Sequence, residues 1–394
     1  MRATDDDVWD VVVVGAGPAG AATALGALAA DPHLRVLLVD REDFPRDKSC
    51  GDGIAPLVLD ALASVGVHDV TEGWVPLEHL ELSRASSRVH RPLHRPVWVI
   101  PRQVFDARLV RHATRAGAAL RRHRVRDVHV DADGVLLDGQ VRGRVVVAAD
   151  GAHSVVRPAV QARPVRRRAL AIRGYAPTPA SRRGRQLIVY GDHRQPSYAW
   201  AFDRGDGLSN VGYGELLDDR GEPPSRALLL EQLARLVPGA VEAGGQWRAH
   251  HLPLSDRRWH QPDGRVLLTG DAAGLINPMT GEGIYYAVAS GILAGRAAAV
   301  ALGRSAPQDA GALHRASVRR LLGHHLRHTF LTSRLSTVPA VVDAGIRAAA
   351  RDQQVFDDLV EIGLGQGVVT ARLAGGLARG LRTPTRHQHR TVAP

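Results

Sequence analysis

The stretch DVVVVGAGPAG, residues 10–20, decides the fold of this 394-residue chain. Its four consecutive valines predict a buried strand, and the alanine-rich residues 21–30 predict a helix. Between them stand Gly15, Gly17 and Gly20, at the GxGxxG spacing. The first permits a tight turn, the second lets a pyrophosphate approach the backbone, and the third lets the helix pack closely on the strand. The sequence therefore predicts a Rossmann-type unit that binds a dinucleotide at the N-terminus of its first helix.

An acidic residue follows at the distance that such a unit requires. A second predicted strand, residues 36–39, ends at Asp40, which lies twenty residues after Gly20. A carboxylate at this place accepts hydrogen bonds from the ribose hydroxyls of an adenine dinucleotide. We therefore take Asp40 and the adjacent Arg41 as cofactor-binding candidates.

Two later units favour FAD over NAD as the dinucleotide. A predicted strand over residues 145–149 leads into Asp150, and a second one over residues 266–269 leads into Gly270 and Asp271. Both units resemble flavoprotein signatures. In the flavin hydroxylase-like superfamily, the aspartate of the second unit holds the ribityl chain of FAD, whereas the alternative is an ordinary turn residue.

A glycine-containing loop, NPMTGEGI at residues 277–284, follows the second unit and opens onto a predicted helix over residues 285–301. Its glycines would let backbone N–H groups lie against a planar ring, and the helix dipole would stabilise negative charge on a reduced flavin. The cofactor-binding candidates in this loop are Pro278, Gly281, Gly283 and Ile284.

The composition excludes several classes of protein. Arginine and lysine total 51 against 40 acidic residues, but the scattered arginines lack a nucleic-acid-binding module, so we expect a solvated basic surface. A single cysteine forms no internal disulfide, and residues 1–9 do not resemble a signal peptide, so we expect a cytoplasmic protein. The longest apolar stretch, residues 283–302, contains Arg296 and predicts a packed helix rather than a membrane span.

The only lysine, Lys48, and the only cysteine, Cys50, stand two residues apart in FPRDKSCGDG, residues 44–53. With this segment the chain resembles the geranylgeranyl reductase family, whose members saturate isoprenoid double bonds and include menaquinone and digeranylgeranylglycerophospholipid reductases. The resemblance runs nearly end to end. Its other motifs are RQVFDARL at 102–109, ADGAHS at 149–154, YAWAF at 198–202 and GDAAGLINPMTGEGI at 270–284.

The resemblance implies that Cys50 and Gly51 lie close to the flavin. An unperturbed thiol has a pKa of about 8.5, so Cys50 could donate a proton to one carbon of a double bond while the flavin delivers a hydride to the other. An inert buried thiol is the alternative. Lys48 is the second catalytic candidate; it would sense the flavin or tie the loop to a carboxylate, unless it forms an ordinary surface ion pair. Arg102 would begin a helix near the dinucleotide phosphates, or else be solvated.

A second layer of structure is predicted between the FAD-binding segments. Short strand-like runs at 169–176, 186–190, 198–202 and 208–214 predict an inserted antiparallel sheet. Tyr198, Trp200 and Phe202 alternate along one run, so they share one face, which either lines a substrate pocket or fills the core. The family motif ends in Phe-Pro, but here Asp203 replaces the proline, which puts the substrate in doubt.

These elements define an α/β protein, a Rossmann-type FAD-binding domain with an inserted sheet and a helical C-terminal region. The predicted boundaries are 1–76, 101–160 and 262–302 for the FAD-binding domain, 77–100 and 161–261 for the sheet domain, 303–382 for the helical region and 383–394 for a disordered tail. We expect the helices to roof the pocket. We expect His324, His325 and His328 to be solvated rather than metal ligands, because no cysteine or carboxylate spacing accompanies them.

The leading hypothesis is an FAD-dependent oxidoreductase that reduces double bonds of an isoprenoid or another bulky apolar substrate. Electrons would come from NAD(P)H or a small redox protein, because no second Rossmann unit follows. A polyprenyl substrate would add a peripheral contact with the inner face of the membrane. The alternative is a flavin monooxygenase, a hydroxylase or epoxidase, which would have no need of Cys50; a non-catalytic binding protein rests on charge alone. The oligomeric state is not predicted.

Overall fold

The computed structural model describes residues 8–160, 165, 167–217, 223–257 and 259–382. The predicted tail, residues 383–394, lies outside them. The strands are β1 (Val8–Val14), β2 (Val36–Asp40), β3 (Gly53–Ile54), β4 (Leu77–Arg84), β5 (Ser87–Val99), β6 (Ala119–Arg122), β7 (Val128–Val130), β8 (Val135–Leu137), β9 (Val141–Ala148), β10 (Arg168–Pro177), β11 (Arg185–Tyr190), β12 (Ser197–Asp203), β13 (Leu208–Leu216), β14 (Gly245–Pro253) and β15 (Val266–Leu268). The helices are α1 (Pro18–Ala30), α2 (Pro56–Ala63), α3 (Arg102–Arg115), α4 (Arg226–Leu236), α5 (Ile284–Gly303), α6 (Ala310–Leu335), α7 (Pro339–Arg351), α8 (Gln353–Leu364) and α9 (Ala371–Arg382).

The first sheet is the predicted Rossmann-type sheet. Its parallel strands follow the order β6, β2, β1, β9 and β15, and the antiparallel hairpin β7–β8 adds to the start of β9. Residues 11–14 of β1 and all residues of β2 are buried because helices cover the sheet. The carboxyl ends of β1, β2, β9 and β15 therefore meet at one edge, where ligands bind in such sheets.

The second sheet has the order β14, β10, β13, β12, β11, β4, β5 and β3. The predicted runs at 169–176, 186–190, 198–202 and 208–214 all lie in it, and their neighbours pair antiparallel. One pair departs from the predicted pattern: β11 and β4 are parallel. The chain passes through the first sheet between β4 and β11, so no hairpin joins these two strands and they are free to pair in parallel. The strand β3 also joins this sheet, although residues 1–76 were assigned to the FAD-binding domain.

The long apolar helix α5 packs against α1 inside the protein. Glycines allow a close approach: a Cβ on Gly295 would lie 2.1 Å from the backbone oxygen of Thr23, and one on Gly291 would lie 2.3 Å from that of Ala19. By length and composition α5 is the one helix of the described chain that could cross a membrane, yet 78% of its apolar window is buried. This burial agrees with the predicted packed helix.

The C-terminal region is helical as predicted; α7 and α8 cover one face of the second sheet, whereas α6 packs against α5 and β15. Leu80 and Leu82 of β4 pack with Ile346 of α7 and Phe356 of α8. The expectation that the α6 histidines are solvated is wrong for His325, which is buried because the inner face of α6 lies against α5. Its two ring nitrogens form hydrogen bonds with the hydroxyl of Tyr286 and with the backbone oxygen of Gly367.

The other two histidines of α6 differ from each other. His324 is exposed, whereas Nδ1 of His328 accepts a hydrogen bond from the backbone N–H of Val369. Within the described ranges, no group of three or more His, Cys, Asp or Glu side chains is arranged to hold a metal. His325 therefore contributes to the packing of α6, and His328 links α6 to the residues before α9.

Candidate active site

A cavity of about 840 Å³ lies where the carboxyl edge of the first sheet meets the second sheet and the C-terminal helices. It brings together most of the residues predicted from sequence. Those that line it are Gly15, Gly17, Asp40, Arg41, Lys48, Cys50, Gly51, Arg102, Asp150, Tyr198, Trp200, Phe202, Asp271, Pro278, Gly281, Gly283 and Ile284. Gly20 and Gly270 are absent from the lining because both pack against neighbouring elements.

The β1–α1 turn has the geometry that a bound pyrophosphate requires. Gly15 has φ of +96°, and a Cβ there would lie 2.4 Å from the backbone oxygen of Ala149. A Cβ on Gly20 would lie 1.8 Å from the backbone oxygen of Gly15. No side chain caps the N-terminus of α1, so its first N–H groups stay available to an anion. Asp40 accepts a hydrogen bond from the backbone N–H of Ala16, which holds its carboxylate beside the turn.

Two arginines lie on the phosphate side of this turn. Arg102 is only 4% exposed, which excludes the solvated alternative, and its guanidinium makes two hydrogen bonds to Asp106, of 2.6 and 2.8 Å. Arg46 donates to the same carboxylate at 3.3 Å and lies beside Gly17. Sequence reasoning missed Arg46, although it stands in the quoted 44–53 segment. Arg41, by contrast, is exposed and pairs with Glu42.

The loop that carries Cys50 is held by residues distant in sequence. The Nδ2 of Asn210 donates to the Cys50 backbone oxygen at 2.9 Å and to Oδ2 of Asp52 at 2.8 Å. The hydroxyl of Tyr175 donates to the same Oδ2 at 2.6 Å. Asp52 has φ of +61° and is fully buried, and burial raises its pKa from 3.8 to about 6 although the two hydrogen bonds oppose this.

Sequence reasoning did not identify these supports. Asp52 is part of the quoted motif, but Tyr175 and Asn210 lie on β10 and β13 in stretches without any signature. Only the pairing of β10 with β13 brings both side chains to the same carboxylate.

The thiol of Cys50 itself is suited to remain protonated. Burial raises its pKa above the ordinary value, and the positive charge of Arg102 opposes that rise without reversing it. At neutral pH the sulfur therefore carries a proton that it can donate.

Lys48 does tie the loop to a carboxylate. Its Nζ lies 3.0 Å from Oδ2 of Asp271, the aspartate that follows β15. Burial would raise the pKa of Asp271, but Lys48 holds it below the ordinary value, so the carboxylate is charged. Next to this pair stands His250, whose pKa burial lowers to about 4, so its ring is neutral.

Glu282, in the wall of the cavity, belongs to the 270–284 motif but was not predicted as a site residue. Glu282 precedes α5, and its Oε1 accepts a hydrogen bond from the backbone N–H of Tyr285. Burial raises the pKa of this carboxyl from 4.5 to about 7, and Arg102 partly opposes the rise. About half of the Glu282 side chains are thus protonated near neutral pH.

The three predicted aromatic residues share one face of β12 and line the cavity. The ring centroids of Tyr198 and Trp200 are 6.0 Å apart, and those of Trp200 and Phe202 are 6.4 Å apart. A Cβ on Gly51 would lie 3.7 Å from the Phe202 ring, so the Cys50 loop runs directly over these aromatics. The cavity continues past them between Leu82 of β4 and the helices α7 and α8.

The aspartate that replaces the family proline does not reach this cavity. Asp203 is buried, and its carboxylate accepts hydrogen bonds from the backbone N–H groups of Gly184, at 2.7 Å, and Gly205, at 3.0 Å. Asp203 therefore ties the turn after β12 to the residue before β11. It is not among the residues that line the cavity, and its effect on the substrate stays a prediction.

The residues present fit FAD. A glycine turn and an uncapped helix are available to a pyrophosphate, and Asp40 stands at the end of β2 for a ribose. The buried Oδ1 of Asp150 has no hydrogen-bond partner within the described residues, so one acceptor in the cavity wall is free. The side chains that would hold FAD are those of Asp40, Arg46, Arg102, Asp150 and Asp271, together with the backbone of the turn and of the 278–284 loop.

Comparisons with known proteins agree with this site. The family model of an FAD binding domain matches residues 8–320. The menaquinone reductase of Mycolicibacterium smegmatis is 33% identical over 311 residues, which cover 72% of this chain and 75% of that protein. The digeranylgeranylglycerophospholipid reductase 1 of Methanopyrus kandleri is 32% identical over 331 residues, which cover 75% of this chain and 81% of that protein.

A solved structure shares the whole fold. The geranylgeranyl bacteriochlorophyll reductase-like protein from Thermoplasma acidophilum superposes with a TM-score of 0.77 at 18% identity, over 95% of this chain and 96% of its own. The chain therefore belongs to the FAD binding domain family and, as its motifs implied, to the geranylgeranyl reductase family of the flavin hydroxylase-like superfamily, and it is an FAD-dependent oxidoreductase.

Proposed function

We propose that this enzyme reduces carbon–carbon double bonds of an isoprenoid or a similarly bulky apolar substrate. One observation carries the proposal: Cys50 lines the same cavity as the dinucleotide-binding turn and the aromatic residues of β12. Burial keeps this thiol protonated, as a proton donor requires. The names of the related menaquinone and digeranylgeranylglycerophospholipid reductases support the same substrate class.

Saturation of an alkene needs a hydride at one carbon and a proton at the other. Bound FAD, once reduced, supplies the hydride. Cys50 gives its proton to the second carbon, and the thiolate that remains is stabilised by the nearby charge of Arg102 until it is protonated again. Asn210 and Asp52 keep the thiol in place, and Tyr198, Trp200 and Phe202 exclude water and orient the substrate chain.

Lys48 has a positioning role in this proposal. Its bond to Asp271 joins the Cys50 loop to the carboxyl end of β15. The bond thereby fixes the position of the loop relative to this aspartate. Arg173 strengthens the same loop by donating to Asp47 and to the backbone oxygen of Lys48.

The electrons come from outside the described chain. We propose NAD(P)H that binds transiently, or a small redox protein, because the described residues contain one strand–turn–helix unit of the GxGxxG type. The glycine-rich residues 363–367 follow the helix α8 rather than a strand, so they are not a second such unit.

The decisive experiment is anaerobic stopped-flow spectroscopy of the reduced enzyme, mixed with a geranylgeranyl lipid or menaquinone, or separately with oxygen. We expect the flavin to reoxidise with the alkene, and Cys50→Ala to slow that step by a factor of about 100 or more, because positioned acids contribute at least this much. The control is Asn210→Asp or Asn210→Ala, which should displace the loop and weaken the step less than loss of the thiol does. Product analysis by mass spectrometry should show a gain of two hydrogens per reduced bond.

The monooxygenase alternative predicts a different result in the same experiment. The reduced enzyme would react rapidly with oxygen, leave the alkene unreduced and add an oxygen atom to a product. Cys50→Ala would not change that reaction. Such a combination would refute the reductase proposal, although the fold and the cofactor would stand.

A further inference from the structure

The outer face of the helix α6 and the turn to α7 form an unusual surface. Residues 310–342 contain no aspartate or glutamate but five arginines. One of these, Arg315, pairs with Asp263. The other four, Arg319, Arg320, Arg327 and Arg334, are exposed and have no carboxylate partner in the part of the chain that the structure describes. These four arginines therefore concentrate positive charge on this surface.

Large apolar side chains are exposed among these arginines. Leu331 is 53% exposed, Leu335 is 41% exposed and Val338 is 48% exposed. Because residues three, four and seven positions apart share one face of a helix, Arg320, Arg327, Leu331, Arg334 and Leu335 point the same way. We call this set, together with Val338, the α6 patch. Its opposite face, with Val318, Leu322 and Leu326, is buried.

The α6 patch adjoins the active-site cavity at Leu335, which we take as the mouth of the cavity. Thr332, Leu335, Ser336 and Val341 line that cavity, and Leu335 is also exposed to the surface. An apolar substrate that enters beside Leu335 would pass directly from the surface of the patch to the space between the second sheet and α7.

A second cleft adjoins the patch at Arg327. Its volume is about 570 Å³, and its lining includes Arg257, Arg319 and Arg327 with Trp259 and no acidic residue among the described ones. Three arginines that line one cleft suit a phosphate group. At a rise of 1.5 Å per residue, Arg327 lies about 12 Å along α6 from Leu335. A phosphate bound in the cleft is thus close to the cavity mouth.

We propose that the α6 patch docks on a bilayer that contains anionic lipids, with the cleft holding a lipid phosphate and the cavity mouth facing the acyl chains. The combination of exposed leucines with uncompensated arginines is the pattern of an interfacial amphipathic helix, whereas a nucleic acid would not require the apolar side chains. The inference rests on the proposed function, because a polyprenyl substrate resides in the bilayer and must leave it to react.

The test is flotation of the FAD-loaded full chain with vesicles of phosphatidylcholine alone or with 30 mol% phosphatidylglycerol. We expect binding to the anionic vesicles that weakens as salt rises. Replacing Arg327 and Arg334 by glutamine should lower the partition coefficient by about 30-fold, since each arginine near such a surface contributes about 1 kcal/mol. Leu331→Ser with Val338→Ser should lower it as well. The control pair Arg111→Gln with Arg115→Gln, exposed on α3, should have little effect.

Several results would overturn the proposal: no binding to anionic vesicles, equal binding to neutral ones, or equal losses in the α3 control. Binding of the same patch to duplex DNA without binding to vesicles would identify another partner and would also overturn it. The flavin spectrum of each variant verifies folding. Turnover of a short, water-soluble prenyl substrate in the same samples tests the proposed function separately, because it needs no membrane.

Discussion

The buried carboxylate of Asp52 offers a quantitative test of the site. Its Oδ2 accepts hydrogen bonds from Tyr175 and Asn210, while its Oδ1 is buried without a partner within the described residues. Replacing Asp52 by asparagine keeps an oxygen that can accept both bonds and removes the negative charge. The variant should therefore gain stability relative to the wild type as the pH rises.

The size of this gain follows from the two pKa values. In the folded protein the pKa of Asp52 is raised to about 6, whereas the ordinary value of 3.8 applies to the unfolded chain. A folded pKa above the unfolded one means that the folded state binds the proton more tightly, so stability is greatest below pH 3.8 and falls as the pH rises through 6. The penalty is about 1.6 kcal/mol at pH 5 and about 3 kcal/mol at pH 8. An unpartnered amide in the variant costs about 1 kcal/mol, but equally at both pH values.

The measurement is urea unfolding of the FAD-loaded wild type and Asp52→Asn at pH 5 and pH 8, followed by tryptophan fluorescence. The difference in unfolding free energy between the two proteins should move by about 1.4 kcal/mol in favour of the variant between these pH values. Asp43→Asn, which removes an exposed carboxylate just before the 44–53 segment, is the control for the loss of one charge. A pH-independent difference, or one of opposite sign, would refute the argument that burial dominates at Asp52.

Three further results are expected. Gly20→Ala should purify without flavin, because its Cβ would lie 1.8 Å from the backbone oxygen of Gly15; absorbance at 450 nm measures this, and full flavin content would contradict it. Asp203→Ala should lower the free energy of unfolding by about 1–3 kcal/mol, since the buried hydroxyl of Thr178 and the backbone N–H groups of Gly184 and Gly205 lose their acceptor, yet leave substrate KM unchanged; a KM shift would return Asp203 to the substrate site. Glu282→Gln should remove an ionisation near pH 7 from the pH profile of alkene reduction, and an unaltered profile would show that this carboxyl does not affect the step.

Local patterns were enough to predict the cofactor side of the site. The glycines of the first turn, Asp40 and the start of α3 at Arg102 could be read directly, because each belongs to one element and its immediate neighbours. The alternation of Tyr198, Trp200 and Phe202 likewise predicted a shared face of β12, since side chains alternate along any strand. The roles of these residues in binding and catalysis stay predictions until the variants are measured.

The environment of the reacting group depended on contacts between distant parts of the chain. Asn210 and Tyr175 meet Asp52 only after β13 pairs with β10, and Lys48 meets Asp271 across 223 positions of sequence. The same is true of one partner of Asp203, because Gly184 precedes β11 and reaches Asp203 only through the pairing of β11 with β12.

The sequence alone determined the fold class, the dinucleotide turn and the identity of the motif around Cys50, because strand, turn and helix signals act over a few residues. Only the tertiary structure decided which carboxylates are buried, and hence that Asp52 and Glu282 have raised pKa values, because burial is a property of the whole packing. It likewise decided that Leu335 of α6 is exposed and yet lines the cavity, since the helix packs its other face against α5.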